Sequence, residues 1–222
     1  MKLVYVKVFL DNTVSLFSVG EEEAVKVGDY VIVDTKYGKD IGRVVSVCAD
    51  SDSNEVKRVT KASEKDIEEF ENNRKRDFRE DKKVREILKK YHPQVHFVGC
   101  YFLLEKRKLI VNFCSEERID FRETVKTLAG VYKTRIEMRQ ISSREAFKIK
   151  GSIGICGMEC CCFRFNHLKQ HISSNLVKEQ NLSEINAKTI GPCGKLLCCL
   201  AYEYHCYSNG KHVLFQETSV GI

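Results

Sequence analysis

From residue 4 to residue 47, short apolar runs alternate with turn residues: VYVKVFL, Asp11-Asn12, TVSLFSV, Gly28-Asp29, YVIVDT, Tyr37-Gly38-Lys39-Asp40 and IGRVVSV. Runs of this length, rich in β-branched and aromatic residues and punctuated by Asn, Asp and Gly, predict a small antiparallel sheet or barrel. The texture then changes. Between Glu64 and Lys90 charges dominate, while Ile67, Phe70, Phe78, Val84, Ile87, Leu88 and Tyr91 recur at helical spacing. That pattern predicts one long helix with a single apolar stripe, its mixed charges reading as a solvated face.

From Gln94 the chain reads VHFVGCYFLL, a charged turn, and LIVNFC, a β-hairpin with its tip at Glu105 to Lys108. A helix follows. Asp120 is placed to cap it with Glu123 three residues on, and Phe121, Val125, Leu128 and Tyr132 share one face. RIEMRQI then reads as a strand. Helix, two strands, helix and strand predict an α/β sandwich with helices on one face, resembling part of a ferredoxin-like unit. The expected fold class is therefore α+β. Its parts are a β-barrel-like module at 1–60, an α/β body at 61–150, a cysteine-rich region at 151–206 and a short tail at 207–222.

Composition narrows the class. Of 222 residues, 43% are hydrophobic and 31% charged, and only two are proline, which suits an ordered globular chain. The first apolar stretches are interrupted by Lys7 and by Asp11-Asn12, so neither a signal-peptide core nor a membrane span fits there, and a cytoplasmic location is expected. Eleven cysteines, an odd number, then point to metal or redox chemistry rather than a disulfide framework. Cys48, Cys100 and Cys114 sit singly in strand-like contexts, where a thiol behaves as a small hydrophobe.

The remaining cysteines form a pattern. Residues 153–163, IGICGMECCCF, and 190–200, IGPCGKLLCCL, register at a constant offset of 37 on the string I-G-x-C-G-x-x-x-C-C. Six cysteines match: Cys156, Cys161 and Cys162 with Cys193, Cys198 and Cys199. Cys160 faces Leu197 and is an additional candidate ligand. Thiolates with flanking glycines are the ingredients of a soft-metal site. The spacing among the matched cysteines departs from the C-x₂₋₄-C of structural zinc sites, whereas iron–sulfur clusters accept more varied spacing, so an iron–sulfur cluster, [4Fe-4S], is expected ahead of zinc. Six thiolates exceed what one such cluster needs, which favours a shared or interfacial one. His167, His171 and His205 could complete a mixed site.

A net charge of +6 is compatible with an acidic or nucleic-acid partner. Positive charge collects around the cysteines, where Arg164, Lys169, Lys178 and Lys195 are candidate contacts for RNA or a partner, and a plain solvated surface is an equal reading. A short helix, SSNLVKEQNL, is expected between the copies, with Leu176 and Val177 inward and Lys178 outward. No P-loop, G-x-S-x-G or H-E-x-x-H string is present, so nothing in the sequence proposes an enzyme.

The run IDFRETVKTLAGVYKTRIEMRQI from Ile119 to Ile141, followed by IGICGMECCC, SSNLVKEQNLS and IGPCGKLLCCLAYE, resembles the PSP1 domain of the bacterial YaaT (RicT) family. The similarity runs from near the N-terminus to about Tyr204, and residues 151–206 are assigned to the C-terminal part of that domain. The resemblance implies a non-enzymatic scaffold that joins two small helical partners, YlbF and YmcA, in a complex carrying iron–sulfur clusters. Such a complex is associated with the endoribonuclease RNase Y, with RNA processing and, in spore formers, with sporulation. The family's cysteine motifs fall on Cys156, Cys161, Cys162, Cys193, Cys198 and Cys199. Two departures stand out: Cys160 replaces a more usual apolar residue, and the last segment, SNGKHVLFQETSVGI, is shorter than the family's C-terminal extension. Three other readings stay open: an RNA-binding module built on the barrel and the basic surface, a thiol redox sensor, and a zinc-binding structural protein.

Overall fold

The computed structural model describes residues 2–207 except 21–22, 49–55, 105–107, 166–171, 181 and 183–186. The chain forms two compact units, Met1–Ser142 and Ser143–Ile222. The barrel-like module and the α/β body expected at 1–60 and 61–150 thus lie within one unit, except that residues 143–150 fall with the cysteine region.

In the first unit, β1 (Lys2–Val8), β2 (Thr13–Val19), β3 (Tyr30–Thr35), β4 (Gly38–Cys48) and β5 (Arg58–Lys61) close a barrel in the order β1-β2-β5-β3-β4. Strand β1 closes it by pairing antiparallel with both β2 and β4. One pair, β2 with β5, is parallel. The two-residue period places Val4, Val6 and Val8 inside, where they meet Val31, Val33, Val44 and Phe17. Gly42 is obligatory at this crowding, because a Cβ there would run into the Val6 side chain and press on Val33.

Helix α1 (Glu64–Tyr91) starts at a capping box, in which Ser63 accepts from the Asp66 N–H and Asp66 accepts in return. Val84 and Leu88 are fully buried, and Phe70 is nearly so. Phe78, expected on the apolar stripe, is 84% exposed. The buried face carries polar residues instead, and these meet the edge of the second sheet.

That sheet holds β6 (His96–Phe102), β7 (Lys108–Cys114) and β8 (Arg135–Gln140) in the order β6-β7-β8, with β6 antiparallel and β8 parallel to β7. Helix α2 (Arg122–Tyr132) makes the crossover between β7 and β8. The edge strand β6 would leave amides unsatisfied inside the protein, which is costly. Successive turns of α1 supply the partners. The Cys100 N–H donates to Asp81 at 2.7 Å, the Phe102 N–H to Asp77 at 2.8 Å, and Asn73 donates to the Leu103 carbonyl at 3.3 Å. Beneath this seam Val84, Leu88, Phe102, Leu109, Val111 and Leu128 form one core.

Asp120 does not form the expected capping box. Its carboxylate accepts from the Arg122 backbone N–H at 3.1 Å and from the Arg122 side chain, whereas Glu123 pairs with Lys126. The charged residues at the tip of the β6–β7 hairpin lie outside the described residues, apart from Lys108. The architecture is α+β, an N-terminal barrel followed by an α/β body.

Candidate metal centre

The second unit opens with α3 (Ser143–Lys150) and then presents the two cysteine strings as two copies of one backbone shape. In the first, Ile153 bridges to Glu159, the Gly154 N–H donates to the Met158 carbonyl at 2.7 Å, and the Cys160 N–H to Ser152 at 2.8 Å. In the second, Ile190 bridges to Leu196, Gly191 donates to Lys195 at 2.8 Å, and Leu197 to Thr189 at 2.9 Å. The glycine after each first cysteine turns the chain at positive φ, 78° at Gly157 and 72° at Gly194, a conformation that L side chains resist. One-turn helices follow, α4 (Cys161–Arg164) and α6 (Cys199–Tyr202). Between the copies, α5 (Asn175–Glu179) buries Val177 with Ile172 and Leu200, packs Leu176 against them and leaves Lys178 exposed.

The two copies face each other. Phe165 and Tyr202, equivalent at the same offset, pack ring against ring at 5.4 Å. The Cys162 thiol donates a hydrogen bond to the Cys198 sulfur, and Cys161 lies within electrostatic reach of Cys198 and Cys199. Under the exchange of copies, the pair Cys162–Cys198 maps onto Cys199–Cys161, which lie within electrostatic reach of each other without that hydrogen bond. Cys160 lies within reach of Cys193, Cys198 and Cys156. All six register-matched cysteines and the seventh therefore share one neighbourhood. Cys156 is exposed and the others are half-buried.

The electrostatics follow from this crowding. The Cys198 thiol is brought down to about 6, first by the Cys162 hydrogen bond and then by the Arg144 guanidinium. Arg144 is held by its own bond to the Leu196 carbonyl at 2.7 Å. Cys162 is pushed up, because it is the donor to that thiolate and is partly desolvated. Burial also raises Cys160, Cys161 and Cys199, the first two further opposed by neighbouring cysteines and the last by Glu203. Cys198 is the thiol favoured to ionise. A soft cation reverses that opposition, since coordination deprotonates a thiol outright. The donor set thus has the chemistry of a soft-metal or cluster site. Among the described residues, no group of three or more His, Cys, Asp or Glu side chains is gathered as it would be around a bound ion.

Cys48, Cys100 and Cys114 lie on strands of the first unit. Of these only Cys100 is fully buried, its sulfur 3.7 Å from the Asp77 carbonyl. His205, on α7 (Tyr204–Tyr207), is exposed and lies against the Tyr204 ring. His167, His171 and Lys169 lie outside the described residues. Arg164 is exposed, its guanidinium over Phe165 at 5.2 Å, and Lys195 is exposed at the tip of the second loop. The contact between Phe165 and Tyr202 was missed by the sequence reading. Its signal was available, since extending the register two residues past each eleven-residue string pairs two aromatic positions.

The PSP1 C-terminal conserved region matches residues 56–141, and the third domain of PSP1-like proteins matches residues 171–214. The first match ends before both cysteine loops, unlike the expected assignment at 151–206, and the second takes in only the second loop. The chain belongs to the PSP1 family. Over 189 residues it is 35% identical to the stage 0 sporulation protein YaaT of Bacillus subtilis strain 168, covering 83% of this chain and 69% of that protein. No solved structure matches. Among the described residues no helix is long and apolar enough to cross a membrane.

Proposed function

We propose that this chain is a non-enzymatic regulatory scaffold of the cytoplasm whose facing cysteine loops hold an iron–sulfur cluster, [4Fe-4S]. The observation that carries the reading is the placement of seven cysteines in two facing loops of one backbone shape. Cys156, Cys161, Cys162, Cys193, Cys198 and Cys199 are the proposed donors, with Cys160 in reserve. A bound cluster would supply a one-electron redox centre and neutralise the mutual opposition of the thiols. Because these are more thiols than one cluster takes, the remainder are available to a partner. The partners proposed are small helical proteins of the YlbF and YmcA kind, in a complex that modulates RNA processing by RNase Y. The name of the Bacillus relative supports a link to developmental control.

The test is anaerobic co-purification with those two partners, followed by iron, sulfide and zinc analysis and an absorption spectrum. Iron and sulfide in equal amounts, lost in Cys156→Ala and Cys193→Ala, support the reading. Zinc alone replaces the cofactor, and neither metal with an intact complex in both variants removes the cluster.

The hydrogen bond from Cys162 to Cys198 favours a second reading, a dithiol that a peroxide or a disulfide oxidises to a cystine between the two copies. Stable resistance of both thiols to such oxidants in the metal-free protein would count against it.

A further inference from the structure

The exposed side of α1 carries a charge that its sequence conceals. From Lys75 to Lys90 the helix contains four carboxylates, and three are turned inward to work. Asp81 accepts from Cys100, Asp77 accepts from Phe102 and pairs with Arg74, and Glu80 accepts from the Tyr132 hydroxyl at 2.9 Å. Only Glu86 remains exposed, against Lys75, Arg79, Lys82 and Lys89, with Lys83 and Lys90 beside them, while the Arg85 guanidinium is turned to the Phe97 ring, 5.5 Å from its centroid. At 3.6 residues per turn these cations line the side opposite Asn73, Asp77, Val84 and Leu88, over about 20 Å of helix. The macrodipole accounts for Lys89 and Lys90 in the last turn, but its effect is spent within that turn and does not extend to Lys75, Arg79 and Lys82.

A second observation gives this stripe a direction. Phe78, 84% exposed, stands beside Lys75 at i−3 and Lys82 at i+4. An aromatic ring presented to water amid cations that make no ion pair among the described residues is the combination that takes up single strands, phosphates on the cations and an unstacked base on the ring. We propose that this face of α1 binds a single-stranded polynucleotide, with Lys75, Arg79, Lys82 and Lys89 on the backbone and Phe78 as a stacking platform. The residues of this site all belong to the first unit.

Fluorescence anisotropy of the full chain with labelled oligouridylate, oligodeoxythymidylate and a duplex of equal length tests it. Binding to the single strands should weaken steeply with salt, K75E/K82E should lose about tenfold or more in affinity, and the salt dependence should become shallower. F78A should lose roughly fivefold for the single strands while leaving the duplex unchanged. The exposed positions leave folding intact, checked by circular dichroism. K36E/K39E, the same change of net charge on the barrel, should stay within about twofold of the parent. Preference for oligouridylate assigns an added contact to the 2′-hydroxyl, and equal affinity for both single strands places the contacts on phosphate and base. The proposal is overturned by absence of salt-sensitive binding, by equal losses in K75E/K82E and K36E/K39E, by F78A binding single strands as the parent does, or by retention on anionic vesicles without oligonucleotide binding.

Discussion

Phe165 and Tyr202 stand at equivalent positions of the two cysteine copies and meet ring to ring, 5.4 Å between centroids with the planes at 61°. An edge-to-face pair of this kind contributes about 0.5–1.5 kcal/mol beyond its buried area. Here it also fixes how the two loops face each other. Phe165→Ala and Tyr202→Ala should each loosen the loops, and a double-mutant cycle in urea should return a coupling of about 0.5–1 kcal/mol. Additive losses would show that the rings do not act as a pair.

The same facing of loops controls one thiol. In the metal-free protein, alkylation of Cys198 by iodoacetamide should rise with pH through a midpoint of about 6. Cys162→Ala removes the donor and should move the midpoint up toward the ordinary thiol range, whereas Cys162→Ser keeps a donor and should hold it low. Arg144→Ala should move it upward by less, because its charge acts after the hydrogen bond in importance. Mass-spectrometric labelling of that one cysteine across pH is the measurement.

Much of this was legible in the sequence, and the remainder has a physical reason. The alternation around Val4, Val6 and Val8 and the spacing of Val84, Leu88 and Leu128 located the cores, because burial imposes a period. The register of the cysteine copies was legible because the backbone shape repeats with the string. The pairing of Cys162 with Cys198 was not, since it arises from the facing of two loops in space. Nor were the roles of Asp77 and Asp81. They lie in a segment where charge is everywhere, and only the position of the β6 edge decides which carboxylates turn inward. Phe78 failed for the converse reason, matching the helical period but falling outside the contact face.

Asp77 and Asp40 make stability depend on pH in an unusual direction. Burial pushes Asp77 up to about 7, against the opposing pull of Arg74 and the Phe102 N–H, and pushes Asp40 up to about 6 although the Tyr101 hydroxyl donates its one proton between the two Asp40 oxygens, 2.9 and 2.8 Å away. Both folded values exceed the unfolded value of 3.8. The folded state therefore binds more protons, and their stabilising contribution is complete below about pH 4 and is lost as pH rises through about 6 to 7. Urea unfolding should show roughly 1–3 kcal/mol of this contribution disappearing between about pH 4 and about pH 8. Asp40→Asn and Asp77→Asn should each flatten that slope. Because both carboxylates interact with Arg74, the two effects should not add. A parent slope retained in both variants would assign the pH dependence elsewhere.

Two glycines test how tightly the first unit is packed. At Gly42 a methyl group would meet the side chains of Val6 and Val33, both fully buried, and the Lys7 carbonyl at 3.2 Å, none of which has solvent to retreat into. Gly42→Ala should cost about 1–3 kcal/mol, and Val6→Ala in that background should cost less than it does alone. At Gly130, within α2, a methyl group would meet nothing within 4 Å, so Gly130→Ala should instead stabilise by about 0.5–1 kcal/mol through its helix preference. Opposite signs for one chemical change, read from paired denaturation curves, would show that closure of the barrel depends on the missing side chain of Gly42. Equal small effects at both positions would mean that β1 and β4 can separate without loss.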